Sequence, residues 1–171
     1  MLGIDIVDLK DPLLKERDNR SLNLIKNDGD TIIEHPQLFW LLWSAKEAVF
    51  KLNREPFNFT PTSIPIKLKE GEGKITFRSD RVEGKIEITS EYILAYCGDP
   101  EDMDHHLFEK DDDDWSLGIR KMILEYFKSK GKEYTIGSDD LNLPIINPPQ
   151  SVISISHHGR YGAVAYSKKL I

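Results

Sequence analysis

The 171-residue chain predicts an α+β fold: a small antiparallel sheet packed on a buried helix, with an inserted β-meander and a second amphipathic helix. Three observations predict it. Across residues 37–52 apolar side chains recur at helical spacing around most of the circumference. Across residues 62–97 they recur at every second position. Across residues 115–130 the helical spacing returns, on one face only. The length suits one domain with a sizeable core, so residues 1–171 are read as a single domain.

Taken in order, LGIDIVDL alternates Ile4 and Ile6 with Asp5 and Val7 and predicts a short strand beginning almost at Met1. DPLLKERDNRSLNLIKNDGD, polar with scattered leucines, predicts loop and a short helix ending at the turn-like NDGD. Pro36 suits the first turn of the next helix, where its missing N–H costs nothing. In the meander Ile64, Ile66 and Leu68, then Ile75 and Phe77, then Ile86 and Ile88 mark strands, with GEG at 71–73 and VEG at 82–84 as turns. KEGEGK reads as a hairpin turn and not a phosphate loop, because no helix follows to offer its N-terminus.

Residues 98–114, GDPEDMDHHLFEKDDDD, read as a solvated acidic loop whose His pair matches neither zinc nor calcium spacing. In the second helix Ile119, Met122, Ile123, Tyr126 and Phe127 share a face, and Gly131 lies just past its end. LNLPIINPPQ reads as a proline-bearing connection. SVISISHHGRYGAVAYS reads as a closing hairpin whose turn carries His157 and His158.

Lys plus Arg number 23 against 29 Asp plus Glu, and the resulting net charge of −6 argues against a general nucleic-acid binder. No apolar run reaches the ~18 residues of a membrane span, and MLGIDIVDLK lacks a signal-peptide pattern. The one cysteine, Cys97, cannot form an internal disulfide and suits a reducing compartment. The expectation is a cytoplasmic protein with neither membrane nor nucleic acid as partner.

The stretch LLWSAKEAVFK carries charges inside an apolar helix. At 100° per residue Ser44, Glu47 and Lys51 share one narrow stripe, opposite Leu38, Leu41, Leu42, Ala45, Val49 and Leu52, while Phe39, Trp43 and Phe50 flank Lys46. A lone E-x-x-x-K is ordinarily an exposed pair worth ~0.3–0.5 kcal/mol. GIDI in turn places a carboxylate in an apolar strand, where alternation sends Asp5 to the face opposite Ile4 and Ile6; there it either meets solvent or meets a cation. The functional alternative is that Asp5 and Glu47 converge on one hard divalent cation, because two carboxylates with phosphate oxygens and water suit Mg²⁺.

GIDIVD, W-S-A-K-E-A-V-F-K and S-I-S-H-H-G-R-Y-G-A-V-A, in that order, resemble the motifs of the 4′-phosphopantetheinyl transferase superfamily. Residues 43–51 match that family's helix (aromatic, small, x, Lys, Glu, Ala, x, x, Lys) at every defined place. The motif order, and Val7 where two-half relatives carry an acid, resemble the single-copy holo-acyl-carrier-protein synthase type, which implies a homo-oligomer, a trimer being favoured. The resemblance implies Mg²⁺-dependent transfer of the 4′-phosphopantetheine arm of coenzyme A to a serine of an acyl or peptidyl carrier protein, as in fatty acid or polyketide biosynthesis. Carried over residue by residue, Asp5 and Glu47 would bind Mg²⁺, Lys51 would contact the pyrophosphate, and Ser156 and His157 would contact the phosphates of coenzyme A. Lys46 belongs to the motif and is grouped with the cofactor-binding residues. Glu47, Lys51 and His157 form the implied catalytic set, and either Glu47 or a water held by the metal takes the serine proton. His158 has no counterpart and is read as surface.

The chain departs from the single-copy pattern in three places. KLNREPFNF follows Lys51 in place of a glycine-rich turn; Asp11 stands where an arginine is frequent, leaving Arg17, Arg20 and Lys26 as nearby cations; and the acids at 111–114 have no family role. These departures keep open a non-catalytic relative that binds a carrier protein or a nucleotide. A structural subunit whose charged seams are only solvated faces is the second alternative.

Overall fold

The computed structural model describes residues 1–54, 58–80, 82–110 and 118–171. The chain opens with β1 (Leu2–Asp8), α1 (Asn19–Ile25) and α2 (Leu38–Asn53). A meander follows: β2 (Lys67–Gly71), β3 (Lys74–Ser79), β4 (Val82–Ile88) and β5 (Tyr92–Gly98). The rest comprises β6 (Met103–Glu109), α3 (Gly118–Ser129), β7 (Thr135–Ser138), β8 (Pro144–Asn147), β9 (Ser151–Val152), β10 (Ser154–His158) and β11 (Tyr161–Ser167).

The meander closes on the amino-terminal strand, giving an antiparallel sheet in the order β1-β5-β4-β3-β2. A second sheet has the order β10-β11-β6 and a third β7-β8-β9. Every residue of β1 is buried because both of its faces are covered. Val7 packs in the core formed with α2, whereas Leu2, Ile4 and Ile6 pack with Tyr161, Ala163 and Ala165 of β11. The other face of β11, with Val164 and Tyr166, joins Phe108 and the α3 residues Ile119, Ile123 and Phe127 in a further core. The layers therefore run α2, first sheet, second sheet, α3.

Gly3 sets the spacing of the first two layers. A Cβ there would lie 1.9 Å from the carbonyl oxygen of Ala48, so only glycine lets α2 come this close to β1. At its carboxyl end α2 stops at Arg54, which takes the left-handed conformation (φ 53°) and ion-pairs with Asp139 in the β7–β8 connection.

The α+β class, the buried helix, the meander and the second helix stand as expected. Four local readings are corrected. VEG at 82–84 lies inside β4, not in a turn. The supposed acidic loop contains β6, whose residues 103–109 pair with β11 along their whole length; the acids at 111–114 and the start of the second helix at 115–117 lie outside the described residues. The supposed connection LNLPIINPPQ contributes β8, flanked on both sides by short strands. His157 and His158 sit at the end of β10, and the turn itself is Gly159–Arg160. Among the described residues no helix is long and apolar enough to cross a membrane.

Candidate active site

Strand alternation and helix periodicity bring Asp5, Glu47 and Lys51 to one place. Asp5 shares a face of β1 with Gly3 and Val7 and so points at α2. Glu47 and Lys51 stand one helical turn apart, on either side of the Ala48 carbonyl that Gly3 admits. Lys51 Nζ lies 2.8 Å from Asp5 Oδ1 and 3.2 Å from Glu47 Oε2. β10 supplies the fourth group: Ser156 Oγ accepts from Lys51 Nζ at 3.1 Å and donates to Asp5 Oδ1 at 2.8 Å. It also accepts from the Ile6 N–H at 3.4 Å, which uses the full capacity of a hydroxyl.

These groups form the polar end of a cleft of about 250 Å³. His157 and His158 line it beside Ser156, and Trp40, Trp43, Val7 and Ile155 make its apolar wall. Trp43 is held by its own ring neighbours, stacked on Phe39 and edge-on to Phe59. The cleft is therefore charged at one end and aromatic at the other.

Electrostatics follow from this crowding. Burial, reinforced by the negative charge of Asp5, holds the Glu47 carboxyl above the usual range, and Lys51 offsets only part of that. Burial alone would lower the Lys51 ammonium, but Asp5 and Glu47 outweigh it and hold the group above its ordinary value, so it stays protonated. Partial desolvation at the cleft and then the charge of Lys51 push the His157 imidazole down, toward its neutral form.

Two carboxylates around one ammonium have the chemistry of a hard-cation site. Among the described residues no group of three or more His, Cys, Asp or Glu side chains is placed to hold a metal ion. Asp5 and Glu47 could thus hold a cation only with its remaining ligands drawn from water or a bound molecule, the manner in which Mg²⁺ binds.

Of the six residues singled out from the sequence, five line this cleft or bond within it: Asp5, Glu47, Lys51, Ser156 and His157. Lys46, grouped with the cofactor-binding residues from the sequence, does not line it. Its side chain is fully enclosed on another face of α2, with Nζ 2.9 Å from Asp30 Oδ2 and donating to the Ile64 carbonyl at 2.6 Å. Burial pulls its pKa down against the opposing pull of Asp30.

Trp40, His158 and Asp8 were not identified from the sequence. Trp40 stands one turn ahead of Ser44 on the stripe that carries Glu47, a signal the helical spacing contained. His158 is half-buried, its Nδ1 accepting from the Asp8 N–H at 3.2 Å. Asp8 is fully enclosed and accepts from the Arg160 N–H and guanidinium, which outweigh its burial and hold its carboxyl below the usual range. Only the tertiary pairing of β1 with β10 reveals the last two.

A family model described as the 4′-phosphopantetheinyl transferase superfamily matches residues 1–97, more than half of the 171. The chain belongs to the 4′-phosphopantetheinyl transferase superfamily. No curated protein and no solved structure matches it. The matched part of the chain runs from β1 to β5 and includes Asp5, Glu47 and Lys51. Ser156 and His157 lie outside it and reach the cleft only through the packing of β10 on β1.

Ser44, on the same stripe of α2, has a buried hydroxyl with no hydrogen-bond partner among the described residues. Its small size, not its hydroxyl, is what the packing uses. Ser44→Ala is expected to stabilise the protein by about 1 kcal/mol, since it removes a desolvated and unpaired group. A higher urea midpoint at unchanged slope is the result to look for, and a lower one would show that the hydroxyl has a role.

Proposed function

We propose that the chain catalyses Mg²⁺-dependent transfer of the 4′-phosphopantetheine arm of coenzyme A to a serine hydroxyl of an acyl or peptidyl carrier protein, releasing 3′,5′-adenosine diphosphate. The observation that carries this reading is the meeting of Asp5, Glu47 and Ser156 at the Lys51 ammonium within one cleft. Resemblance to the holo-acyl-carrier-protein synthase type supports the single-copy form and a homo-oligomer, with a trimer favoured.

Asp5 and Glu47 would hold Mg²⁺, which when bound supplies positive charge beside the reacting pyrophosphate. Lys51 presents an ammonium, held above its ordinary pKa by Asp5 and Glu47, for a pyrophosphate oxygen, where negative charge grows as the P–O bond breaks. His157, held toward neutrality, retains an N–H to donate to phosphate without adding charge. The carrier serine must lose a proton, and Glu47, raised by burial beside Asp5, is the acceptor that the chain itself supplies. Trp40 and Trp43 give the remainder of the ligand an apolar wall that keeps water from the charged end.

Incubation of an apo-carrier protein with the chain, coenzyme A and Mg²⁺, followed by intact mass measurement, tests this. One added phosphopantetheinyl group, dependent on Mg²⁺, is the expected result. Coenzyme A or carrier binding with no mass added to any acyl or peptidyl carrier would instead identify a binding relative.

A further inference from the structure

β1 is an edge strand of the first sheet, yet its free edge is neither exposed nor paired with another backbone. Among the described residues no backbone ladder joins it to β10, which belongs to a different sheet. Side chains take the place of that ladder. The Ile4 N–H donates to Ser154 Oγ at 3.2 Å, the Ile6 N–H to Ser156 Oγ at 3.4 Å, and the Asp8 N–H to His158 Nδ1 at 3.2 Å. Donors and acceptors both advance by two residues, so the strands run in the same direction at one fixed offset.

We propose that His158 is a positioning residue for the transfer reaction: it is the third rung of this side-chain ladder and locks β10 in the register that puts Ser156 at Lys51 and His157 over the cleft. The proposal rests on the transferase reading for its effect on turnover, but not for the ladder itself. The register is unusually exposed to error, because nothing but side chains defines it. A slip by one residue would turn Ile155 and His157 toward the β1 edge, and Ile155 has no side-chain acceptor for the buried N–H it would meet. The two serines supply short acceptors in the enclosed middle, where both are buried. At the end of the strand a longer side chain is needed, and His158 spans the gap with its near nitrogen.

Accepting at Nδ1 requires His158 to be neutral with its proton on Nε2. Asp11 Oδ2 faces that nitrogen at 3.7 Å, a carboxylate on the side where the proton must be. Beyond the last rung Asp8 continues the attachment: its carboxylate accepts from the Arg160 N–H at 3.0 Å and from the Lys10 N–H at 2.8 Å. Gly159 makes this possible, since its φ of +53° and a would-be Cβ only 2.6 Å from Asp8 Oδ2 leave no room for another residue.

His158→Ala and His158→Asn test the proposal, because asparagine can place its Oδ1 where Nδ1 stands. Hydrogen exchange should show the Asp8 amide losing about tenfold protection in His158→Ala, with a smaller loss at the Ile6 amide as the rung at Ser156 loosens. Amides of β5 should be unaffected, which verifies that the variant is folded. kcat for transfer to a carrier protein should fall about tenfold in His158→Ala, and His158→Asn should recover both protection and kcat. Unchanged protection at Asp8 in His158→Ala, wild-type kcat in that variant, or failure of asparagine to restore either quantity would overturn it. Were the wild-type protein to show no transfer, the transferase reading would fail on its own, and exchange at Asp8 and Ile6 would still decide the ladder.

Discussion

Glu47→Gln is expected to lower kcat for phosphopantetheinyl transfer by ~10²–10³-fold while leaving the protein folded. The introduced amide keeps the size and hydrogen-bonding reach of the side chain, and Lys51 keeps its 2.8 Å bond to Asp5, so the packing of α2 on β1 persists. What disappears is one of the two carboxylates proposed to hold Mg²⁺ and the proton acceptor raised by its surroundings. The pH dependence of stability gives a second reading of the same site. Burial and the charge of Asp5 raise the folded-state pKa of Glu47 above that of the unfolded chain. A group raised in this way contributes stability that is complete below the unfolded pKa and is lost as pH rises through the folded value. Binding of a divalent cation needs the ionised carboxylate and therefore opposes that loss. Melting temperatures between about pH 4 and pH 8, spanning the ordinary and raised carboxyl ranges, should consequently fall less steeply with Mg²⁺ than without it. In Glu47→Gln both the slope from this group and most of the Mg²⁺ response should vanish. Retention of wild-type kcat together with a wild-type Mg²⁺ response would remove Glu47 from the site.

The sequence carried the cleft further than it carried the fold around it. Alternation correctly set Asp5 on the face opposite Ile4 and Ile6, and helical spacing correctly aligned Glu47 with Lys51. Neither periodicity could show that these two faces oppose each other, because that depends on Gly3 admitting the Ala48 carbonyl. β6 escaped detection since Asp104, His105, His106 and Glu109 give it a polar composition, and its strand conformation is imposed by pairing with β11. β8 was obscured in the same way by the prolines around it. His158 looked like a surface residue for a comparable reason: its partner is a backbone N–H on a strand distant in sequence. Local pattern thus reported which face a side chain takes, and long-range pairing decided what that face meets.

Lys46→Ala is expected to cost about 3–5 kcal/mol of folding stability, a large share of the roughly 5–15 kcal/mol typical of a domain. Lys46 and Asp30 have fully enclosed side chains, and Nζ lies within 3.1 Å of both carboxylate oxygens. Asp30 also accepts from the Ile66 N–H at 2.6 Å and the Asn27 N–H at 2.8 Å, so it fastens the NDGD turn to the start of the meander. Removing the ammonium leaves a buried carboxylate with two neutral donors and no counter-charge, and it orphans the Ile64 carbonyl that Lys46 also served. Lys46→Met restores the apolar stem and should recover only the cavity part of the loss. Lys46→Met combined with Asp30→Asn removes the charge while keeping an acceptor for the Ile66 N–H, and should recover most of the remainder. Urea unfolding of the four proteins measures these differences. Because Lys46 lies away from the cleft, the folded Lys46→Met protein should bind coenzyme A with a KM within about twofold of wild type, the range that loss of a direct phosphate contact would exceed. A large rise in KM at unchanged stability would return Lys46 to the ligand and refute the structural role. The same helix therefore uses its two lysines in opposite ways: Lys51 is held at an open cleft by acids whose charge a ligand can share, whereas Lys46 is closed in with a single acid and spends its charge on the fold.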